Sequence, residues 1–280
     1  MKQAIKKFEK AKDFLICIDS DGCVLDTMDV KHMRCLGPCL VHQWNLEEYK
    51  DEIIRLWRKV NLLSNFRGIN RFRGLARVLA DIHENYTRIE GLSEYVYWVQ
   101  TASELSDESL REAFERTGSI CIKKAMEWSG LVNQSMAMIS DRKKPPFEGA
   151  REALELAKKY ADIAIVTSAN GVEIRKEWEN QSLIQYTDLL ASQETGRKAE
   201  CLKELVEKGY EKKKVLMIGD SPIDLEAARE AGALFYPILA YQERESWEIF
   251  PEVLKQFLEG NYEGKMQDRC IEEFQGNLSI

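Results

Sequence analysis

Four short apolar runs set what this chain can fold into. They are Phe14–Ile18, Ile163–Val166, Val215–Ile218 and Ala233–Ile238. The first two stop at Asp19 and Thr167, and the third stops one residue short of Asp220. Runs of this length, cut off by small or polar residues, fit buried strands. Asp188–Ala191 is a shorter candidate between the second and third. Helical patterns separate them. Ala150, Ala153, Leu154 and Ala157 recur at helical spacing, and Leu202, Leu205 and Val206 form a second helix closed by Gly209. Ser221-Pro222 reads as a cap and first helical residue, with Gly232 after the helix. Alternation of this kind predicts an α/β fold with a Rossmann-like parallel sheet and right-handed crossovers.

The alternation is broken once. From about Asp26 to Lys144 there is no strand-like punctuation, and the pattern is helical and rich in aromatics: Trp44, Trp57, Tyr95, Tyr97, Trp98, Trp128. Ser106 caps one helix there and Gly118 stops it. The expected organisation is a core domain of residues 1–25 and 145–280, interrupted by an all-helical domain of residues 26–144. Lys143-Lys144-Pro145-Pro146 is the return linker. From about residue 242 a polar helical extension follows, with Trp247 and Phe250 as its docking residues.

The formal net charge of −7 argues against global nucleic-acid binding, and the longest apolar runs fall far short of the ~20 residues of a membrane span. Seven scattered cysteines and no signal-peptide pattern point to reduced thiols in a cytoplasmic protein.

The chemistry-bearing residues fall at strand ends. The first strand ends in Asp19-Ser20-Asp21-Gly22, the second in Thr167-Ser168-Ala169-Asn170-Gly171, and the third in Gly219-Asp220-Ser221-Pro222-Ile223-Asp224. Lys198 opens the helix between the last two. In an open parallel sheet that edge is where ligands bind. Phosphoryl transfer needs an in-line nucleophile, charge neutralisation around the phosphoryl oxygens and a proton donor. A carboxylate serves as nucleophile through an aspartyl-phosphate. Mg²⁺ takes carboxylate oxygens, for which Asp19, Asp220 and Asp224 qualify. Thr167 and Lys198 suit the phosphoryl oxygens, and Asp21 lies where the chain can turn it toward a leaving group. Each residue alone has a bland explanation as a cap, a strand-end hydroxyl or a solvated lysine. Their ordered occurrence on one edge does not.

Residues 10–26 and 145–240 resemble the haloacid dehalogenase superfamily on its phosphatase side. Asp19-Ser20-Asp21-Gly22 is similar to its first motif, Thr167 to its second, Lys198 to its third and Asp220 through Asp224 to its fourth. The resemblance implies Asp19 as nucleophile and Asp21 as general acid and base. Thr167, Ser168 and Lys198 become phosphate-binding. Asp19, Asp220, Asp224 and the backbone carbonyl of Asp21 become Mg²⁺ ligands. It also implies that the helical insertion is a cap, which begins within Asp21–His32. The cap is longer than the usual four-helix type, and the C-terminal extension lies outside the common core. Asp21 argues against dehalogenase chemistry, because that branch carries another residue there. The expected substrate is a small phosphorylated metabolite. A phosphomutase and a non-catalytic phospholigand-binding protein remain as alternatives.

Between Arg55 and Arg88 eight basic residues stand against two acids. Asn70 and Arg71 are the substrate-side candidates there, with Asn170 in the core. The alternative is a solvated basic face. His32, Cys35, Cys39 and His42 have zinc-like spacing. On one helix they would all approach an ion from one side, so packing is the expectation unless Gly37-Pro38 breaks the helix.

Overall fold

The computed structural model describes residues 3–140 and 143–278; the parts of the expected domains at residues 1–2, 141–142 and 279–280 lie outside the described residues. After a short helix α1 (Gln3–Lys7), strand β1 (Phe14–Ile18) leads into a run of helices. These are α2 (Met28–Lys31), α3 (Gly37–Gln43), α4 (Lys50–Leu62), α5 (Arg71–Asn85), α6 (Leu92–Thr101), α7 (Asp107–Thr117) and α8 (Ile120–Ala137). Alternation then resumes with α9 (Ala150–Lys158), β2 (Ala161–Val166), α10 (Gly171–Asn180), β3 (Leu189–Ala191), α11 (Lys198–Val206), β4 (Val215–Gly219), α12 (Pro222–Ala231) and β5 (Leu234–Pro237). Two further helices, α13 (Glu243–Leu258) and α14 (Lys265–Asn277), end the described chain. The chain divides into two compact units: Met28–Ser140, and the residues on either side of that segment.

The α/β unit holds five parallel strands in the order β3-β2-β1-β4-β5. Parallel strands are buried on both faces, and their side chains alternate between them. Ile16 and Ile18 pack with Ile163, Ile165, Leu216, Ile218 and the tryptophans of α10 and α13. Leu15 and Cys17 pack on the other side with Val166, Val215, Met217 and residues of α11 and α12. Chain order leaves β1 toward β2 and β3, then returns to its other side for β4 and β5. The switch point therefore lies between β1 and β4, and its crevice opens at their C-terminal ends.

The edge strand β5 is closed from outside. The Phe235 N–H donates to Gln267 Oε1 at 2.8 Å, and the Phe235 carbonyl accepts from Tyr262 Oη at 2.8 Å. Side chains of the C-terminal segment thus occupy hydrogen-bonding groups that an edge strand otherwise offers to another chain.

The helical unit has its own core, built around Trp57, Phe72, Tyr95, Trp98 and Trp128. Its first helix is continuous from Met28 to Gln43 through a π-turn at His32–Leu36. Gly37-Pro38 does not break it. Pro38 has no N–H to give, and a widened turn ahead of it is one way a helix accommodates that loss.

At the opposite end of the sheet from the switch-point crevice, the buried Asp162 ties three segments together. Its Oδ2 accepts from the Ala11 and Lys12 N–H groups at 2.9 Å each and from Tyr210 Oη at 2.6 Å. Replacing Asp162 with Ala strands three donors. The expected cost is about 3 kcal/mol, read as a lower midpoint in urea unfolding, with the crevice residues left in place.

Candidate active site

β1 and β4 run side by side to their ends, and the Asp19 N–H continues their ladder to the Ile218 carbonyl at 3.0 Å. That fixes Asp19 at the crevice, where its side chain is buried. Its Oδ1 accepts from the Ser20 N–H at 2.7 Å, and its Oδ2 lies 2.6 Å from Lys198 Nζ. Lys198 is the first residue of α11 and is likewise buried. The same ammonium lies 2.6 Å from Asp224 Oδ1.

Asp224 is held from below. Its Oδ2 accepts from the Ser221 N–H at 3.1 Å and from Ser221 Oγ at 2.6 Å, a reciprocal cap of the first turn of α12. Gly219 makes room for it: a Cβ there would fall 2.3–2.4 Å from Cγ, Cβ and Oδ2 of Asp224. Asp220 completes the group, 1% exposed. Carboxylate oxygens of Asp19, Asp220 and Asp224 all lie within 4.8 Å of one another.

The charges decide what this cluster accepts. Three carboxylates gather in a buried site, two of them on the Lys198 ammonium. Burial pushes the Asp19 carboxyl up to about 7, against the pull of Lys198, and the neighbouring Asp224 and Asp220 add to the rise. Burial alone would lower Lys198, but Asp19 and Asp224 hold it above the ordinary lysine range. An all-oxygen, carboxylate-rich donor set fits a hard divalent cation such as Mg²⁺. Both Asp224 oxygens already accept hydrogen bonds, so a cation at Asp224 shares them with Lys198 and Ser221.

Around this cluster the other sequence candidates take distinct places. Asp21 is half-buried just beyond β1, and its Oδ1 accepts from Thr27 Oγ1 at 2.5 Å. Thr167 follows β2, buried, with its N–H on the Ala191 carbonyl at 3.0 Å and its Oγ1 accepting from the Ala169 N–H at 3.2 Å. Ser168 beside it is exposed. Asn170 caps α10: its Oδ1 accepts from Val172 and Glu173, and its Nδ2 donates to Glu194 Oε1 at 2.7 Å.

Asn70 and Arg71 belong to the helical unit. Asn70 caps α5 through the Phe72 N–H at 2.9 Å. Arg71 donates to Asn133 Oδ1 at 2.7 Å and to Asp107 at 3.2–3.3 Å, linking α5 to α8 and α7. Among the described residues, the one His, Cys, Asp or Glu group with metal-site spacing is the Asp19 cluster. His32, Cys35, Cys39 and His42 do not gather into one. His32 Nδ1 instead accepts from Trp57 Nε1 at 3.2 Å, while Cys35 is a buried free thiol and Cys39 packs against the helical core.

Sequence reasoning passed over Thr27, Gly219 and Trp178. Trp178 Nε1 donates to Ser20 Oγ at 2.8 Å, between the two aspartates. No spacing rule marks Thr27 or Trp178. The cap of Asp224 on Ser221 had a legible signal, the Ser-x-x-Asp spacing at a helix start.

A family model described as haloacid dehalogenase-like hydrolase matches residues 89–237, just over half of the chain. The match includes Thr167, Lys198, Asp220 and Asp224, and leaves Asp19 and Asp21 outside it. Solved structures share the fold. A haloacid dehalogenase-like family hydrolase from Streptococcus pneumoniae is 15% identical with a TM-score of 0.50, over 87% of this chain and 98% of that one. A protein described as a predicted phosphatase from Clostridium acetobutylicum is 13% identical with a TM-score of 0.51, over 89% of this chain and all of that one. No curated protein matches the chain significantly.

Two outcomes follow from the charge arrangement. A cation requires Asp19 ionised, and Asp19 is protonated below about 7. Binding of Mg²⁺ therefore releases a proton at low pH. Its affinity should rise about tenfold per unit from roughly pH 5 to pH 7 and level off above, measured by titration calorimetry in buffers of different ionisation enthalpy. Gly219→Ala displaces the Asp224 carboxylate and should weaken Mg²⁺ binding by about 10–100-fold in the same measurement.

Proposed function

The chain belongs to the haloacid dehalogenase-like hydrolases, and we propose that within that family it is a Mg²⁺-dependent phosphomonoesterase acting on a small phosphorylated metabolite. One observation carries the reading: a buried carboxylate at the switch point, Asp19, lies 2.6 Å from Lys198 and beside two further carboxylates. Asp21 stands two residues on, with a hydroxyl bond fixing one of its oxygens. That combination supplies a nucleophile, a cation site, a fixed positive charge and a separate proton carrier within one edge of the sheet. The description of the Clostridium acetobutylicum protein as a predicted phosphatase agrees with it.

The residues divide the work by environment. Asp19 attacks phosphorus and forms an aspartyl-phosphate. Asp21 gives its proton to the departing oxygen. Left as a carboxylate, it takes a proton from the water that then cleaves the acyl-phosphate and frees Asp19. The Thr27 hydroxyl on Asp21 Oδ1 orients the carboxyl that carries that proton. The Lys198 ammonium and the Thr167 and Ser168 groups hold phosphoryl oxygens. Asp19, Asp220 and Asp224 would hold the cation, with the Asp21 carbonyl as the family resemblance implies. When bound, Mg²⁺ offsets charge on the phosphoryl oxygens.

Phosphate release across a panel of phosphomonoesters tests the reading. Release should require Mg²⁺, stop with chelator and return on adding the metal. Asp19→Asn should lower it by at least ~10³-fold, the scale of losing a nucleophile. Unchanged rates in Asp19→Asn, or release indifferent to chelation, would overturn the assignment. No release from any ester, an activated aryl phosphate included, would remove the hydrolase reading.

A further inference from the structure

The loop from Ser20 to Thr27 carries Asp21, and its internal bonds are local. The Ser20 carbonyl accepts from Cys23, Val24 and Leu25 at 3.4, 3.0 and 2.9 Å, and the Gly22 N–H donates to Leu25 at 2.9 Å. Gly22, next to Asp21, has a φ of +76°, a conformation glycine adopts without strain. A short loop turning on a glycine needs outside contacts to hold one side chain in place.

Residues 145–147 hold its far end, the Asp26 N–H donating to the Pro145 carbonyl and the Phe147 N–H to the Val24 carbonyl at 2.9 Å each, and two indoles hold the stretch around Asp21. Trp178 of α10 donates to Ser20 Oγ, and Trp247 of α13 donates to the Cys23 carbonyl at 3.0 Å. Trp247 is 2% exposed and 224 residues from Cys23 in sequence. Its own position is fixed. A Cβ on Gly149 would fall 3.1 Å from the Trp247 Cβ, so α13 sits directly on the start of α9. Tyr236 Oη donates to the Ser246 carbonyl at 2.6 Å, and Ser246 Oγ accepts from the Leu239 N–H at 3.0 Å. These bonds tie the first turn of α13 to the end of β5. The Trp247 ring also packs edge-on against Phe250, centroids 5.6 Å apart.

We propose that Trp247 is a positioning residue for the reaction: its indole N–H holds the Cys23 carbonyl and thereby fixes the loop that presents Asp21 to the leaving group. Cys23 and Trp247 both lie outside residues 89–237, the part of the chain matched by the family model. The C-terminal segment thus acts in this chain as a brace for the proton carrier. The phosphate-binding Thr167 and Lys198 follow β2 and open α11, so the brace bears on proton transfer and not on substrate binding. This inference rests on the phosphomonoesterase reading.

The test is pre-steady-state kinetics of the full chain with Mg²⁺, comparing Trp247→Phe with wild type on two esters, nitrophenyl phosphate and an alkyl phosphate. The first needs no protonation of its leaving group to transfer; the second does. In Trp247→Phe the rate constant for enzyme phosphorylation by the alkyl ester should fall about tenfold, part of the ~10²–10⁴ a positioned general acid supplies. With nitrophenyl phosphate that rate constant should hold, while the following hydrolysis slows, since Asp21 is its base. KM for both should stay. Phe257→Leu, on the same helix but packed against Phe14, should lower the melting temperature without changing any rate constant. A loss of burst amplitude alone in Trp247→Phe would mean fewer folded molecules and would overturn the proposal. So would an equal fall in phosphorylation with both esters. Absence of turnover in the wild type would overturn the phosphomonoesterase reading, and this inference with it.

Discussion

A buried ammonium between two carboxylates is the contact on which the α/β unit's crevice depends. Lys198 Nζ lies 2.6 Å from both Asp19 and Asp224. A buried charge without partners costs several kcal/mol, so neither the lysine nor either acid is stable there alone. Each element that ends at the crevice contributes to keeping the three together. α11 begins with Lys198, β1 ends before Asp19, and β4 ends in the glycine that admits Asp224. The Ser221 cap turns Asp224 so that one oxygen stays on the helix and the other faces the ammonium. Asp220 adds a third buried acid to the group. Burial first, and then the neighbouring Asp224 and Asp220, raise the Asp19 carboxyl against the pull of Lys198.

Burial also separates the two aspartates of the first motif. Asp19 is enclosed and faces Lys198, whereas Asp21 is half-buried and faces a hydroxyl. Two acids two residues apart thereby occupy unlike surroundings, the condition under which one carboxylate attacks while the other carries a proton. The turn between them is what makes this possible in so short a stretch. With Gly22 in the left-handed region, the chain leaves the strand direction immediately after Asp21 and returns through the Leu25 bridge.

The sheet was legible because buried parallel strands are written as unbroken apolar runs with abrupt ends. Phe14–Ile18 is a strand to the residue, and Asp188–Ala191 falls one residue from β3. The core acids were legible for a related reason: ligand-binding residues of such sheets stand where those runs stop. Asn170 and Asn70 illustrate the opposite case. A short polar side chain before a helix reads equally as a ligand contact or a cap, and both asparagines cap helices here. Arg71 reads as a free cation in sequence because Asp107 and Asn133 are 36 and 62 residues away. Thr27 and Trp178 were illegible because tertiary geometry alone brings a hydroxyl to Asp21 and an indole to Ser20. His32, Cys35, Cys39 and His42 were read as residues of one helix unless Gly37-Pro38 broke it, and the helix runs through that pair, aligning them along one rod.

The C-terminal helices join two of these problems in one solution. An open sheet that ends on β5 needs its last strand closed, and Gln267 and Tyr262 do so from the segment after α13. Reaching that edge from β5 takes the chain back across the start of α9, where α13 lies against Gly149. This path places Trp247 beside the loop after β1. Edge closure and loop bracing are therefore not independent additions. The helix route that protects the outermost strand of the sheet also passes the loop after the central strand, which carries Asp21. A substitution that shifts α13 will be felt at both ends, as stability at β5 and as geometry at Asp21.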